Sequence, residues 1–134
     1  TDSYGVALAY GSDDGGTGDE STVWGFNGYY TFDLASISVG YETAETGGTD
    51  ASGYFVGLTF PEVGPGSVNI AAATYEPVSG TGLFADDATE TLVYEASYSY
   101  PLNDGMTITP GVFIQEVDGG DDLTGVAVKT SFSF

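Results

Sequence analysis

The stretch TLVYEASYSY (residues 91–100) places Leu92, Tyr94, Ala96, Tyr98 and Tyr100 on one set of alternate positions and Val93, Glu95, Ser97 and Ser99 on the other. A period of two is that of a β-strand, whose successive side chains point to opposite faces. The pattern recurs in both directions. SYGVALAYG (3–11) sets Tyr4, Val6, Leu8 and Tyr10 against Gly5, Ala7 and Ala9, and VWGFNGYYTF (23–32) sets Trp24, Phe26, Tyr30 and Phe32 against Gly25, Asn27, Tyr29 and Thr31. ASISVGYE (35–42) offers Ile37, Val39 and Tyr41 against Ser36, Ser38, Gly40 and Glu42, and GYFVGLTF (53–60) offers Tyr54, Val56, Leu58 and Phe60 against Phe55, Gly57 and Thr59. In SVNIAAATY (67–75), Val68, Ile70 and Ala72 oppose Asn69, Ala71 and Ala73, and Tyr75 breaks phase as a bulge would. MTITPGVFIQ (106–115) and TGVAVKTSFSF (124–134) complete the series. About eight strands result, each near the roughly 9–11 residues of a tilted membrane strand.

The connections alternate as well. Phe32-Asp33-Leu34, PEVGPG (61–66) and PLNDG (101–105) are short and rich in turn residues. The other four joints coincide with acidic clusters, GSDDGGTGDE (11–20), TAETGGTD (43–50), FADDATE (84–90) and EVDGGDD (116–122), and are expected to be longer loops. Short turns at one end and long loops at the other are the asymmetry of a bacterial outer-membrane barrel.

Charge excludes several classes of function. One Lys+Arg stands against 20 Asp+Glu in 134 residues, a formal net charge of −19, so a nucleic-acid partner is not expected. His and Cys are both absent, which removes the commonest general base and the usual zinc ligands. The carboxylates sit in glycine-rich loops rather than as a fixed pair, so neither an enzyme nor a cofactor is expected. Asp13, Asp14, Asp19 and Glu20, or Asp118, Asp121 and Asp122, offer clustered oxygens, but neither follows an EF-hand or calcium β-roll spacing; no metal is expected, and solvated loops are the reading. No apolar run is long enough for a membrane helix, and no secretory leader opens the chain, so any leader is expected to have been removed or left out.

Aromatic placement separates a membrane barrel from a soluble sandwich. On the large-residue face, Tyr10, Trp24, Tyr41 and Tyr54 lie beside the long connections, and Phe32, Phe60, Tyr100 and Phe134 beside the short turns or the terminus. Mid-strand positions such as Val6, Leu8, Val39, Val56, Ile70 and Ala96 are aliphatic or small. Two aromatic belts flanking an aliphatic band follow the depth profile of a bilayer. A sandwich would expose a charged face, whereas the opposite face here is mostly Gly, Ala, Ser and Thr. The expected fold is therefore all-β, an antiparallel transmembrane β-barrel in the outer membrane. Residues 1–134 form either a single up-and-down barrel domain or the C-terminal part of a larger barrel. Within the second strand pattern from the end, Pro110 suggests an edge or a bulge.

The stretch YPLNDGMTITPGVFIQEVDGGDDLTGVAVKTSFSF (100–134) resembles the closing strands of cyanobacterial outer-membrane porins, the family related to carbohydrate-selective porins; TDSYGVALAY and ASISVGYE look like its internal strands. The resemblance implies a channel for ions and small hydrophilic solutes, carbohydrates among them. It also implies contact with the barrel-assembly machinery, whose signal Phe132 and Phe134 resemble. Members of that family are longer, with roughly twice as many strands. The inward face holds only Tyr29, Phe55 and Phe113 as large fillers, too few for a narrow barrel, which favours a larger barrel or a homo-oligomer.

Lumen-facing candidates are Lys129, Glu95, Glu42, Asn27, Asn69 and Gln115, with Lys129 expected to pair with Glu95 or Glu42 or else to snorkel to the rim. Asp13, Asp14, Asp19, Glu20, Asp86, Asp87, Asp118, Asp121 and Asp122 are expected to form an acidic mouth that favours cations. The alternative function is a non-conducting structural barrel, or a subunit of an assembly built by β-pairing between chains.

Overall fold

The computed structural model describes residues 3–14, 16, 20–75 and 91–133. They form eight strands: β1 (Ser3–Asp13), β2 (Ser21–Phe32), β3 (Ala35–Thr46), β4 (Thr49–Val63), β5 (Gly66–Tyr75), β6 (Thr91–Asn103), β7 (Met106–Val117) and β8 (Leu123–Phe132). Each pairs antiparallel with the next, giving a single sheet in the order β1-β2-β3-β4-β5-β6-β7-β8. Neither a helix nor a second layer accompanies it among the described residues. The sandwich alternative requires a second layer to cover the apolar face. Here Ala35 and Ala51 are the only buried hydrophobic side chains described, while Tyr4, Val6, Leu8, Val126 and Val128 are all at least two-thirds exposed. The outer edges of β1 and β8 pair with no described strand, so the sheet is open.

At one end all three connections are two-residue turns: Asp33–Leu34, Gly64–Pro65 and Asp104–Gly105. The segments expected as turns are partly strand. β4 runs through Pro61 and β6 through Pro101, and the ladder shifts register between Phe60 and Val63 and between Pro101 and Asn103. These are bulges, where a proline without an N–H is tolerated. No bulge accompanies Tyr75, whose position simply falls in the phase of Asn69, Ala71 and Ala73. Tyr75 stays in register with both Gly53 and Thr91, and the β4–β5 irregularity lies at the opposite end of the pair.

The acidic cluster at 43–50 corrects the loop reading. It is not a long loop: β3 and β4 continue through it to a two-residue turn at Gly47–Gly48, with φ of 58° and 81°. Positive φ at both central positions is the type I′ geometry whose twist matches the flanking strands, and Gly-Gly adopts it without a Cβ clash. The other connections at this end are longer, spanning 14–20, 76–90 and 118–122.

Pro110 lies inside the sheet, on β7 between β6 and β8, and no register shift accompanies it. It is neither an edge nor a bulge. The β6–β7 ladder skips from Ser97↔Gly111 to Tyr100↔Ile108, as a missing N–H requires, and the Ser99 and Thr109 hydroxyls hydrogen-bond across the gap at 3.0 Å.

Candidate functional site

The register brings most of the large residues of each strand to one face. Tyr4 pairs with Tyr30, Tyr30 with Ile37, Ile37 with Leu58, Leu58 with Ile70, Ile70 with Ala96, Ala96 with Val112 and Val112 with Val126. Paired residues in an antiparallel ladder point the same way, so this row and those parallel to it form one uninterrupted apolar surface. The aromatics flank it. Trp24 and Tyr41 pack with ring centroids 5.4 Å apart near the long-connection end, and the Tyr30–Phe32 and Tyr98–Tyr100 pairs lie towards the short turns at 6.2 and 6.4 Å. Tyr10, Trp24, Tyr54, Phe32 and Tyr100 are exposed on this face, and Tyr41 and Phe60 are half-buried; Phe134 lies outside the described residues.

These belts do not run straight across the register. Tyr10 is level with Trp24, but the next aromatics, Tyr41 and Tyr54, are level with Phe26, two residues nearer the short turns. On β6 the aromatic is Tyr94, two residues further still, since the level of Tyr54 runs through Thr74 to Leu92. Four residues over five strands is about 14 Å of rise against about 24 Å of width, an inclination near 30°. The lower belt drifts the same way: Tyr100 is level with Ile108 and Thr130, and Phe132 lies two residues beyond. Strands tilted to a barrel axis produce this drift when the belts themselves stay level in a membrane. From Trp24 to Phe32 or from Tyr54 to Phe60, the band measures about 20–27 Å along the strand, which at an inclination near 30° is about 18–24 Å of height, close to that of the apolar band of a membrane barrel.

The opposite face is built of small and polar residues. One register row runs Gly5, Tyr29, Ser38, Gly57, Ala71, Glu95, Phe113, Gly125. The next row towards the short turns is hydroxyl-rich: Thr31 and Ser36 hydrogen-bond at 3.0 Å, and the Thr59 hydroxyl donates to Asn69 Oδ1 at 2.9 Å. Towards the long connections lie Asn27, Gln115 and Glu42. Lys129, Glu95, Glu42, Asn27, Asn69 and Gln115 therefore share this face, as expected from their phase. Asn69 and Gln115 are half-buried and the other four exposed.

Lys129 does not pair with Glu95 within the sheet. It lies beside Thr109, four residues along β8 from Gly125, and Gly125 is the residue level with Phe113 and Glu95. Two strands across and four residues along separate the backbones by roughly 16 Å, beyond the combined reach of the two side chains. Glu42, on β3, is further across the sheet still.

Most of the described acidic residues lie at the long-connection end, with Asp33, Glu62 and Asp104 at the other. Asp13 and Asp14, Glu20, and Asp118, Asp121 and Asp122 all lie at or beside the long connections and are exposed. Asp19, Asp86 and Asp87 fall outside the described residues. The tight turn at 47–48 adds a pair at the same end, because Glu45 and Asp50 are direct cross-strand partners. Among the described residues no His, Cys, Asp and Glu group has a metal-binding arrangement.

Sequence reading missed what the inward rings do. Tyr29, Phe55 and Phe113 are each the direct cross-strand partner of a glycine, Gly5, Gly40 and Gly125 respectively. Each ring lies down over its glycine, so that the three nearest atoms to a Cβ built there all belong to that ring. Gly5 and Gly125 are half-buried while every other residue of β1 and β8 is exposed, and Gly40 is buried. The signal was available only as a cross-strand coincidence, after register is known.

A tilted antiparallel sheet with belts on one face and a small, polar second face is the wall of a membrane channel, and comparison with known families agrees. The model of the Gram-negative porin family matches residues 1–122. The chain belongs to that family. Gram-negative porins are channels of the outer membrane and not enzymes, which places this porin there and makes its sheet part of a β-barrel. The match takes in β1 to β7 of the porin and ends just before β8. No curated protein and no solved structure matches the chain.

Proposed function

We propose that this porin passes ions and small hydrophilic solutes by passive diffusion along its small-residue face, with the acidic end acting as a cation-favouring mouth. In this reading the apolar face with its belts meets lipid, and Lys129, Glu95, Glu42, Asn27, Asn69 and Gln115 face the lumen. The observation that carries it is the register, which keeps one face largely apolar and the other mostly small or polar across all eight strands. The net charge of −19 concentrates cations at the mouth, more strongly at low ionic strength. Carbohydrate among the solutes, and a cyanobacterial source, rest on the resemblance of residues 100–134. Contact with the assembly machinery through Phe132 and Phe134 rests on the form of the last strand.

Planar-bilayer recording under a potassium chloride gradient tests the reading. Discrete conductance is expected, with a reversal potential of cation-selective sign. Replacing Asp13, Asp14 and Glu20 by their amides should move that potential towards zero, and raising the salt should do the same. Anion selectivity would overturn the acidic-mouth assignment. Absence of any conductance would instead favour a second reading, a non-conducting wall or subunit joined to others by β-pairing, for which the outer edges of β1 and β8, paired with no described strand, are the supporting observation.

A further inference from the structure

Three aromatic residues on the small-residue face each have a glycine as cross-strand partner. A side chain on a strand ordinarily stands roughly perpendicular to the sheet. Tyr29, Phe55 and Phe113 instead lie across the neighbouring strand, in space that exists because their partners have no Cβ. At Gly5 an added Cβ would fall 2.5 Å from Tyr29 Cε1, and at Gly40 and Gly125 it would overlap the rings of Phe55 and Phe113. Other glycines of the sheet are different: Gly25, Gly53 and Gly66 are hemmed in by backbone carbonyls of Tyr41, Thr74 and Ser99. At Gly5, Gly40 and Gly125 the nearest obstacle is a ring alone, and a ring has somewhere else to go. With a Cβ beneath it, it must turn at χ1 and stand up from the wall.

We propose that Gly5, Gly40 and Gly125 set the free cross-section of this porin by holding the Tyr29, Phe55 and Phe113 rings flat against the wall. The inference rests on the reading of the small-residue face as the lumen. Tyr29 and Phe113 share one register row, and Phe55 lies in the adjacent row, opposite Gly40. Three rings standing on that surface would narrow a passage otherwise lined mostly by Gly, Ala, Ser and Thr, and pore radius is a primary determinant of which solutes pass. The same geometry shields the glycine backbone, as aromatic rescue does in other sheets, so a purely structural role is the competing account.

Single-channel conductance separates the two, because it is read per folded channel and is indifferent to folding yield. With the full chain in planar bilayers, Gly40→Ala should lower unit conductance by roughly half or more and reduce the size of the largest polymer that enters. Phe55→Ala should leave conductance at or slightly above that of the parent, and Gly40→Ala combined with Phe55→Ala should restore it. Should Gly40→Ala not insert, Gly125→Ala with and without Phe113→Ala gives the same comparison. Parental conductance in both glycine variants, or failure of the double variant to recover, overturns the inference and leaves only shielding. A parent chain that conducts nothing overturns the channel reading instead.

Discussion

Tyr98 shows how one side chain fixes a local irregularity. Its hydroxyl donates to the Val63 carbonyl at 2.8 Å, across β5 from its own strand, and so ties β6 to the bulged end of β4. Val63 lies just past the register shift, where the ladder resumes at Gly66. A hydrogen bond of this exposed kind contributes about 1 kcal/mol. Tyr98→Phe should therefore lower stability by about that amount in urea unfolding from detergent micelles, with unit conductance unchanged. A second residue-scale feature is unfavourable. Glu45 and Asp50 oppose one another across the tight turn, and like charges at such positions repel. Glu45→Gln is expected to stabilise the β3–β4 hairpin by roughly 0.2–1 kcal/mol, an effect that should fade in high salt.

Along an element, alternation converts a change of one position into a change of solvent. Val39 lies on the apolar face at the level of Val56, and Asn27 lies on the small-residue face opposite Gly40. An arginine in the lipid-facing band of a barrel costs about 2–4 kcal/mol, whereas a lumen position accepts it. Val39→Arg should therefore destabilise the folded barrel by about that amount. Asn27→Arg should fold normally and shift ion selectivity towards anions. The reverse ranking, measured by urea titration of reconstituted protein, would mean that the two faces are exchanged. The strands and their phases were legible in the sequence because large residues recur at alternate positions over whole elements, with interruptions such as Tyr29, Phe55 and Phe113 too few to hide the period. The 43–50 hairpin was not, because a charge-rich, glycine-containing stretch looks like a solvated loop until the pairing of Glu45 with Asp50 and Thr46 with Thr49 shows that the strands continue.

For the whole molecule, the open edges of β1 and β8 set the next question. A bilayer supplies no partner for unpaired backbone groups, so both edges must be satisfied, either by each other or by further strands. A narrow closure of these eight strands upon themselves would need large side chains filling the small-residue face, and the rings of Tyr29, Phe55 and Phe113 on that face lie flat instead. Cysteines at Ala7 on β1 paired with cysteines at Ala127 or Lys129 on β8 provide the measurement. Oxidation should give no cross-link within one chain, and an efficient intrachain disulfide would show that the eight strands close alone.

The sequence by itself determined the strands, their two-sided character, the acidic end and the exclusion of metal and nucleophile chemistry that needs His or Cys. These follow from local periodicity and composition, which no distant contact can alter. Only the tertiary structure decided the register, and with it everything that depends on which residue faces which across strands. That includes the drift of the aromatic belts, the failure of Lys129 to reach Glu95, the ladder gap at Pro110 and the seating of three rings on three glycines. A one-residue slip in pairing leaves each strand's own pattern untouched yet sends its partner's side chains to the other face. Partners of this kind lie in different strands, so a strand's own sequence holds no trace of them.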